Sequence, residues 1–136
     1  MQINPYLFFN GNCEEAFKFY ERVLDGKIEA IHRYGGSPAE AHTPPEWRDK
    51  IMHARLVADG QALMGSDGMP DRAERVGGFS VSLNLADIAR AERIFRALAE
   101  NGTVEMEFQQ TFWSERFGML TDRFGVPWMI NCEKAG

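Results

Sequence analysis

The sequence lacks the features that would tie it to a membrane, to nucleic acid or to an oxidising compartment. No apolar run approaches the roughly 18 residues that a bilayer span needs, and the opening residues MQINP form no secretory signal. The net charge is −5 and the basic residues are scattered, which argues against nucleic acid as a partner. The two cysteines, Cys13 and Cys132, have neither metal-type spacing nor the density of a disulfide scaffold. These absences favour a cytoplasmic, reduced protein with no membrane partner.

Common catalytic and cofactor motifs are also missing. The sequence contains no GxGxxG, so neither a dinucleotide fingerprint nor the glycine-rich loop expected of an S-adenosylmethionine methyltransferase is visible. No P-loop, GxSxG, HExxH or CxxC occurs. What is present is a chain of 136 residues, 44% hydrophobic and 26% charged, which predicts one globular domain with a sizeable core.

An internal repeat is the most informative feature. Tyr6–Phe9 is an aromatic-rich candidate strand, after which Asn12 is placed to cap a helix. Glu15, three residues later, completes a capping-box pattern, and Gly26 ends the helix. Between them, apolar residues recur at helical spacing: Ala16, Phe17, Tyr20, Val23 and Leu24.

The second half repeats this order. Residues 79–85 alternate between apolar and polar, Asp87 is a good N-cap, and Asn101-Gly102 ends the helix. Its apolar stripe comprises Ile88, Ala91, Ile94, Phe95 and Leu98. Three candidate strands follow each helix, at residues 27–34, 50–58 and 61–66 in the first copy and 103–108, 117–122 and 126–132 in the second.

The two copies define the predicted organisation of one domain over residues 1–136. Module one covers about 1–66, a polar, glycine-bearing linker about 67–78, and module two about 79–134. The final hairpins of the two copies also correspond, and Met64 in the first aligns with Met129 in the second. The alternative is coincidence, because any α+β chain shows strand–helix–strand order.

A doubled strand–helix–three-strand module is typical of the vicinal oxygen chelate superfamily, which includes glyoxalase I, bleomycin-resistance proteins and extradiol dioxygenases. Within it the chain resembles the PhnB-like, or demethylubiquinone methyltransferase-like, branch. The resemblance covers nearly the whole chain and is clearest at residues 6–16 (YLFFNGNCEEA), 50–56 (KIMHARL), 112–113 (FW), 116–118 (RFG) and 122–131 (DRFGVPWMIN). It implies an α+β fold in which two tandem βαβββ modules form a glyoxalase/bleomycin-resistance-type split barrel with a central cleft.

The resemblance also implies where a metal would bind. Metal-using members carry His or Glu ligands on the first and last strands of each module. Here those positions fall at or near Pro5 and at Met64 in module one, and at Phe79 or Val81 and at Met129 in module two. A thioether is a poor ligand for Mg²⁺, Mn²⁺ or Zn²⁺. We therefore expect no metal and no cofactor.

Two side chains are candidates for catalysis. His53, in a strand beside the expected cleft, could act as a general base near neutral pH. Alternatively its strand alternates, with Met52, Ala54 and Leu56 facing the core and His53 facing away. Cys13 would lie in the first helical turn, where the macrodipole favours a thiolate, although small buried cysteines are common. His32 and His42 have no second ligand at metal-like spacing.

The predicted ligand contacts are mostly apolar. An aromatic cleft suits a planar or apolar ligand, although aromatic residues at strand spacing more often belong to the buried core. Asp67 and Arg116 could add polar anchors, or could be solvated turn charges. The predicted ligand-binding residues are Trp113, Phe117, Met64, Met129, Phe79 and Asp67.

Three functional hypotheses follow. The leading one is a metal-independent protein that binds a small organic molecule in the inter-module cleft, as resistance-type relatives do. The second is a metal-dependent or metal-free lyase, isomerase or dioxygenase with non-standard active-site residues such as His53. The third is a structural or regulatory dimer, and the resemblance implies a homodimer in every case.

Overall fold

The computed structural model describes residues 1–68 and 77–133, which form parts of two compact units, Met1–Glu74 and Arg75–Gly136. The first unit contains β1 (Tyr6–Phe9), α1 (Cys13–Val23), β2 (Lys27–Arg33), β3 (Ile51–Ala58) and β4 (Gln61–Asp67). The second contains β5 (Val81–Asn84), α2 (Ile88–Ala99), β6 (Thr103–Gln109), β7 (Ser114–Thr121) and β8 (Pro127–Glu133). Short 3₁₀ turns, Glu40–His42 and Pro45–Trp47, lie between β2 and β3.

The two units share one sheet topology. The strand order is β1-β4-β3-β2 in the first and β5-β8-β7-β6 in the second. In each, the first and last strands pair in parallel, and the other neighbours pair antiparallel. The α+β class and the two tandem βαβββ modules are therefore confirmed, and the repeat is not a coincidence of pattern.

Each helix packs on one face of its own sheet. The apolar stripe of α1 buries Ala16, Phe17 and Tyr20, and that of α2 buries Ala91, Ile94, Phe95 and Leu98. Strand glycines allow this close approach, because a Cβ at Gly65 would lie 2.8 Å from a ring carbon of Phe17 and one at Gly118 would lie 2.6 Å from a ring carbon of Phe95. Burial of each such ring contributes about 2 kcal/mol. Neither α-helix, at 11 and 12 residues, is long enough to cross a membrane, and no other α-helix occurs in the described ranges.

Several strand boundaries differ from those expected, and three of these differences affect the residues of interest. β5 is shorter than residues 79–85, because this edge strand pairs only with β8 and the pairing begins at Val81 opposite Trp128. β7 begins at Ser114 rather than at Phe117, because a register shift after Ser114 breaks the alternation that marks a strand in sequence. Asp67 belongs to β4 rather than to the linker. Most of the expected linker, residues 69–76, lies outside the described residues.

The predicted capping box of α1 is wrong, whereas the predicted cap of α2 is confirmed. Asn12 makes no side-chain capping hydrogen bond. Asp87 accepts one from the Arg90 N–H at 3.1 Å. The carboxylate that serves the start of α1 comes instead from Asp67, 54 residues farther along the chain than Cys13.

Candidate functional site

The faces of the two sheets that point away from the helices carry most of the residues that could contact a ligand. Strand residues alternate between faces, and register partners share one. The open face of the first sheet, defined in this way, includes Tyr6, Phe8, Ala30, His32, His53, Arg55, Met64 and Ser66. The open face of the second includes Ser82, Asn84, Met106, Gln109, Phe117, Met119, Met129 and Asn131.

Aromatic and imidazole rings form a continuous run across the open face of the first sheet. The ring centroids of Phe8 and Tyr6 are 5.1 Å apart, those of Tyr6 and His53 are 5.7 Å apart, and those of His53 and His32 are 6.5 Å apart. The last two pairs are stacked, with interplanar angles of 27° and 15°. Phe8 is 66% exposed, so this run is accessible at its β1 end.

His53 is joined to Tyr6 by a hydrogen bond. The Tyr6 hydroxyl lies 3.1 Å from Nδ1 of His53, and the two groups share a proton whose position depends on the imidazole tautomer. Ala54 and Leu56 are buried toward α1, so His53 faces away from the helix-packed core, as strand alternation predicts. Nε2 is then the imidazole nitrogen that remains for a ligand. Sequence reasoning missed Tyr6, which lies 47 residues from His53.

The expected metal positions do not form a metal site. Met64 lies beside Tyr6 in the parallel pair, and Met129 lies beside Ser82. Phe79 precedes β5 and is 52% exposed, Val81 lies beside Trp128 on the helix-packed face, and Pro5 contributes only its carbonyl, which accepts from the Met64 N–H at 3.2 Å. Across residues 1–68 and 77–133, no three His, Cys, Asp or Glu side chains lie close enough to hold an ion. The donors present therefore do not fit the metal of the superfamily.

The second sheet brings together three of the predicted ligand-binding residues. Trp113 packs edge-on against Phe117 with ring centroids 5.4 Å apart, and Phe112 packs against Trp113 at 4.8 Å. Phe117 is 6% exposed, whereas Trp113 is 48% exposed. Met129 lies beside Met119, which lies beside Met106, so thioethers continue this surface across three strands. Met64 lies on the other sheet.

A chain of polar side chains crosses the same face of the second sheet. The Ser114 hydroxyl donates to Oδ1 of Asn131, and Nδ2 of Asn131 donates to Oδ1 of Asn84 at 3.1 Å. Ser114 is fully buried, Asn131 is half-buried and Asn84 is exposed. Sequence reasoning missed these residues, because single Ser and Asn residues in strands carry no motif.

Asp67 has a structural role that the sequence did not predict. It is 1% exposed, so it is not a solvated turn charge. Its Oδ1 accepts from the Gly11 and Cys13 N–H groups at 2.8 and 2.9 Å, and its Oδ2 accepts from the Ile51 N–H at 2.8 Å. Both oxygens are therefore held by backbone of the same unit, which argues against the predicted ligand contact. Arg116 donates to the neighbouring carbonyl of Glu115 at 2.7 Å.

The cysteine thiols are poor nucleophiles. Cys13 is fully buried, and burial raises the pKa of its thiol, with the charges of Asp67 and Glu14 adding to this shift. Burial likewise raises the pKa of Cys132. Because a thiolate is the reactive form, neither residue is prepared for nucleophilic attack.

Comparisons with known proteins give a consistent result. Residues 1–131 match the family model described as 3-demethylubiquinone-9 3-methyltransferase. The chain is 38% identical to protein YjdN of Escherichia coli, over 98% of this chain and 97% of that protein. It is 54% identical to the crystal structure of protein PA1353 from Pseudomonas aeruginosa, with a TM-score of 0.90 and 99% of each chain covered.

More distant structures share the fold. A putative 3-demethylubiquinone-9 3-methyltransferase, PhnB protein, from Bacillus cereus is 25% identical with a TM-score of 0.81, over 97% of this chain and 99% of that one. A glyoxylase/bleomycin resistance protein/dioxygenase domain from Frankia is 14% identical with a TM-score of 0.63, over 98% of this chain and 95% of that one. The second likeness concerns the fold alone.

Proposed function

Because the chain belongs to the 3-demethylubiquinone-9 3-methyltransferase family, in the PhnB-like branch of the vicinal oxygen chelate superfamily, we propose that it binds a small organic molecule without the metal of that superfamily. The proposed contact surface is the open face of the second sheet together with Trp113. The family description names a methyltransferase, but the sequence has no glycine-rich loop of the kind that binds S-adenosylmethionine.

The observation that carries this proposal is the pairing of a buried with an exposed aromatic ring. Phe117 is 6% exposed and supports Trp113, which leaves about half of its own surface to solvent at 48% exposed. A supported indole is a rigid platform on which a planar ligand can stack. The neighbouring methionines add polarisable, adaptable side chains that fit irregular apolar shapes. Together these residues favour a flat, largely apolar ligand.

The absence of suitable metal donors supports the metal-free part of the proposal. The superfamily positions hold Met64 and Met129, and their neighbours on the first strands are Tyr6 and Ser82. Thioether and hydroxyl groups are weak ligands for the hard and borderline cations that such enzymes use. Metal analysis of protein purified without an affinity tag should find less than about a tenth of an equivalent of transition metal per chain. Near-stoichiometric metal that disappears in His53→Ala would contradict the proposal.

A second candidate function is metal-free proton transfer, as in an isomerase or lyase, and the Tyr6–His53 hydrogen bond favours it. A phenol that donates to Nδ1 orients the imidazole and fixes its tautomer. Arg55 on the same face is paired with Glu29 at 3.4 Å, so it is not a dedicated anion site. His42, which is exposed in the Glu40–His42 turn, offers a matched control. An activity lost in His53→Gln and kept in His42→Gln would favour this candidate.

The binding proposal is tested with 1-tetralone, a two-ring ketone, by NMR titration of the ¹⁵N-labelled protein. We expect saturable shifts at residues of the second unit and a dissociation constant at least about fivefold higher in Trp113→Ala, because the stacking platform is removed. Phe8→Ala is the control, since that ring is 66% exposed and lies in β1 of the first unit. Circular dichroism checks that each variant is folded. No saturable binding to the wild type, or an equal loss in both variants, would contradict the proposal.

A further inference from the structure

We propose that Asn84, held in place by Asn131 and Ser114, donates a hydrogen bond to an oxygen of the bound ligand. The ligand class is then a planar, mostly apolar molecule with a carbonyl or other acceptor oxygen near one end. This inference rests on the proposed function, because it assumes that the open face of the second sheet receives the ligand.

The order of donors and acceptors along the hydrogen-bonded side chains of Ser114, Asn131 and Asn84 determines which group of Asn84 remains for a ligand. Ser114 donates its only hydroxyl proton to Oδ1 of Asn131. The amide of Asn131 then donates through Nδ2 to Oδ1 of Asn84. A side-chain amide has one carbonyl and one NH₂ group, so the carbonyl of Asn84 is already engaged and its NH₂ remains for another partner. Asn84 is exposed, so this NH₂ is accessible.

The first module shows that the fold does not require this polar chain. Met64 lies beside Tyr6 and Arg55, and Met129 lies beside Ser82 and Met119, so the two methionines are equivalent positions. Two residues beyond Met64, Ser66 pairs with Phe8, and two residues beyond Met129, Asn131 pairs with Asn84. The same row therefore contains a phenylalanine and a serine in one module and two asparagines in the other. A feature needed only to build the sheet would recur in both.

The polar chain also lies at a useful position relative to the aromatic platform. Asn131 is the register partner of Phe117 on one side and of Asn84 on the other. Adjacent strands are about 4.8 Å apart, so Asn84 lies about 10 Å from Phe117 across the face. A two-ring ligand that stacks near Trp113 and lies over Asn131 can bring an oxygen at its far end to Asn84.

The apolar residues around Asn84 should help the site to distinguish ligands that carry an acceptor oxygen from ligands that lack one. Its neighbours on the open face include Phe117, Met119 and Met129, which offer no strong hydrogen-bond partner. A ligand that covers Asn84 without an acceptor leaves its NH₂ desolvated and unpaired, which is unfavourable. A ligand with an oxygen at that point replaces the lost water. The site should therefore distinguish an oxygenated ring system from its hydrocarbon analogue.

The test compares 1-tetralone with tetralin, which has CH₂ in place of the carbonyl, by NMR titration of the wild type and of Asn84→Leu. We expect the wild type to bind the ketone at least about fivefold more tightly than the hydrocarbon. Asn84→Leu should remove this preference and change the affinity for tetralin by less than about twofold. Gln61→Leu, which removes an exposed amide from β4 of the first unit, is the control and should keep the preference. Ser114→Ala should reduce the preference, because Asn131 loses the donor that orients it.

The outcomes separate the two proposals. A wild type that binds neither probe would overturn the proposed function and this inference with it. Binding of both probes that depends on Trp113, with a preference that survives in Asn84→Leu, would overturn this inference alone. Equal affinity of the wild type for ketone and hydrocarbon would also overturn it, since an accessible NH₂ would then recognise nothing.

Discussion

At the residue scale, Asp67 connects several segments of the first unit through its buried carboxylate. Its carboxylate accepts three backbone N–H bonds from the loop before α1, from the first residue of α1 and from the first residue of β3. Its own carbonyl accepts from the Tyr34 hydroxyl at 2.7 Å. One buried side chain therefore joins the end of β4 to three other segments of the first unit.

Removal of this carboxylate should destabilise the protein strongly. Asp67→Ala leaves the Gly11, Cys13 and Ile51 N–H groups without their acceptor in a buried position. We expect the free energy of unfolding, measured by urea denaturation, to fall by about 3 kcal/mol, and by less in Asp67→Asn, which keeps one acceptor oxygen. Asp25→Asn is the control and should change it by under about 0.5 kcal/mol, because Asp25 is exposed with φ 52°, a conformation that asparagine adopts readily. A loss below about 1 kcal/mol for Asp67→Ala would contradict this role.

Alkaline pH should destabilise the folded protein through Tyr34 and Cys13. Burial, then the charge of Asp67, raises the pKa of both groups above their ordinary values of 10.0 and 9.0. Above those values the unfolded chain releases protons that the folded chain retains, so stability is fully present below about pH 9 and falls as the pH rises. The limiting slope is about 1.4 kcal/mol per pH unit for each group. Tyr34→Phe should show a shallower decline between pH 8.5 and 10.5 in urea denaturation, and an unchanged slope would contradict the assignment.

At the element scale, the two helices begin by different means. The N-cap of α2 is Asp87, next to the helix in sequence, and its hydrogen bond to Arg90 follows the local rule. The start of α1 relies on Asp67 at the end of β4. Sequence patterns therefore predicted both helices, but the capping residue of only one. A search for capping residues next to a helix cannot find one that lies in a strand more than fifty residues away.

The strands show a similar division. The number of strands and their order along the sequence followed from the repeat, because period-two alternation and turn residues are local signals. The ends of β5 and β7 did not, because they depend on where β8 offers a partner. Register then decides which side chains meet. It places His53 opposite His32, and the open face it defines is where the Tyr6 hydroxyl reaches His53.

At the scale of the whole molecule, the duplication has diverged in chemistry while keeping its topology. The open face of the first sheet carries the ring run from Phe8 to His32, and that of the second carries the amide chain beside Trp113 and Phe117. We propose that the protein is cytoplasmic, and the two free, buried cysteines are compatible with a reduced compartment.

We also propose that the protein is a homodimer, a state that the family resemblance favours. Size-exclusion chromatography with light scattering should give twice the chain mass of 15.4 kDa at micromolar concentration. Exposed apolar side chains such as Ile3 at 92%, Phe112 at 87% and Phe8 at 66% leave surface that association could bury. A mass equal to one chain across the concentration range would contradict the proposal.

The sequence by itself determined the two modules, the helix stripes, the unsuitability of Met64 and Met129 as metal ligands, and the aromatic character of Trp113 and Phe117. These depend on residue type and on short-range period, which a single chain records directly. Only the tertiary structure decided that backbone N–H groups hold the Asp67 carboxylate, that Tyr6 pairs with His53, and that Ser114, Asn131 and Asn84 form one hydrogen-bonded chain. Each of these joins strands that are distant in sequence, and a hydrogen bond between distant strands leaves no periodic trace in the residues that make it.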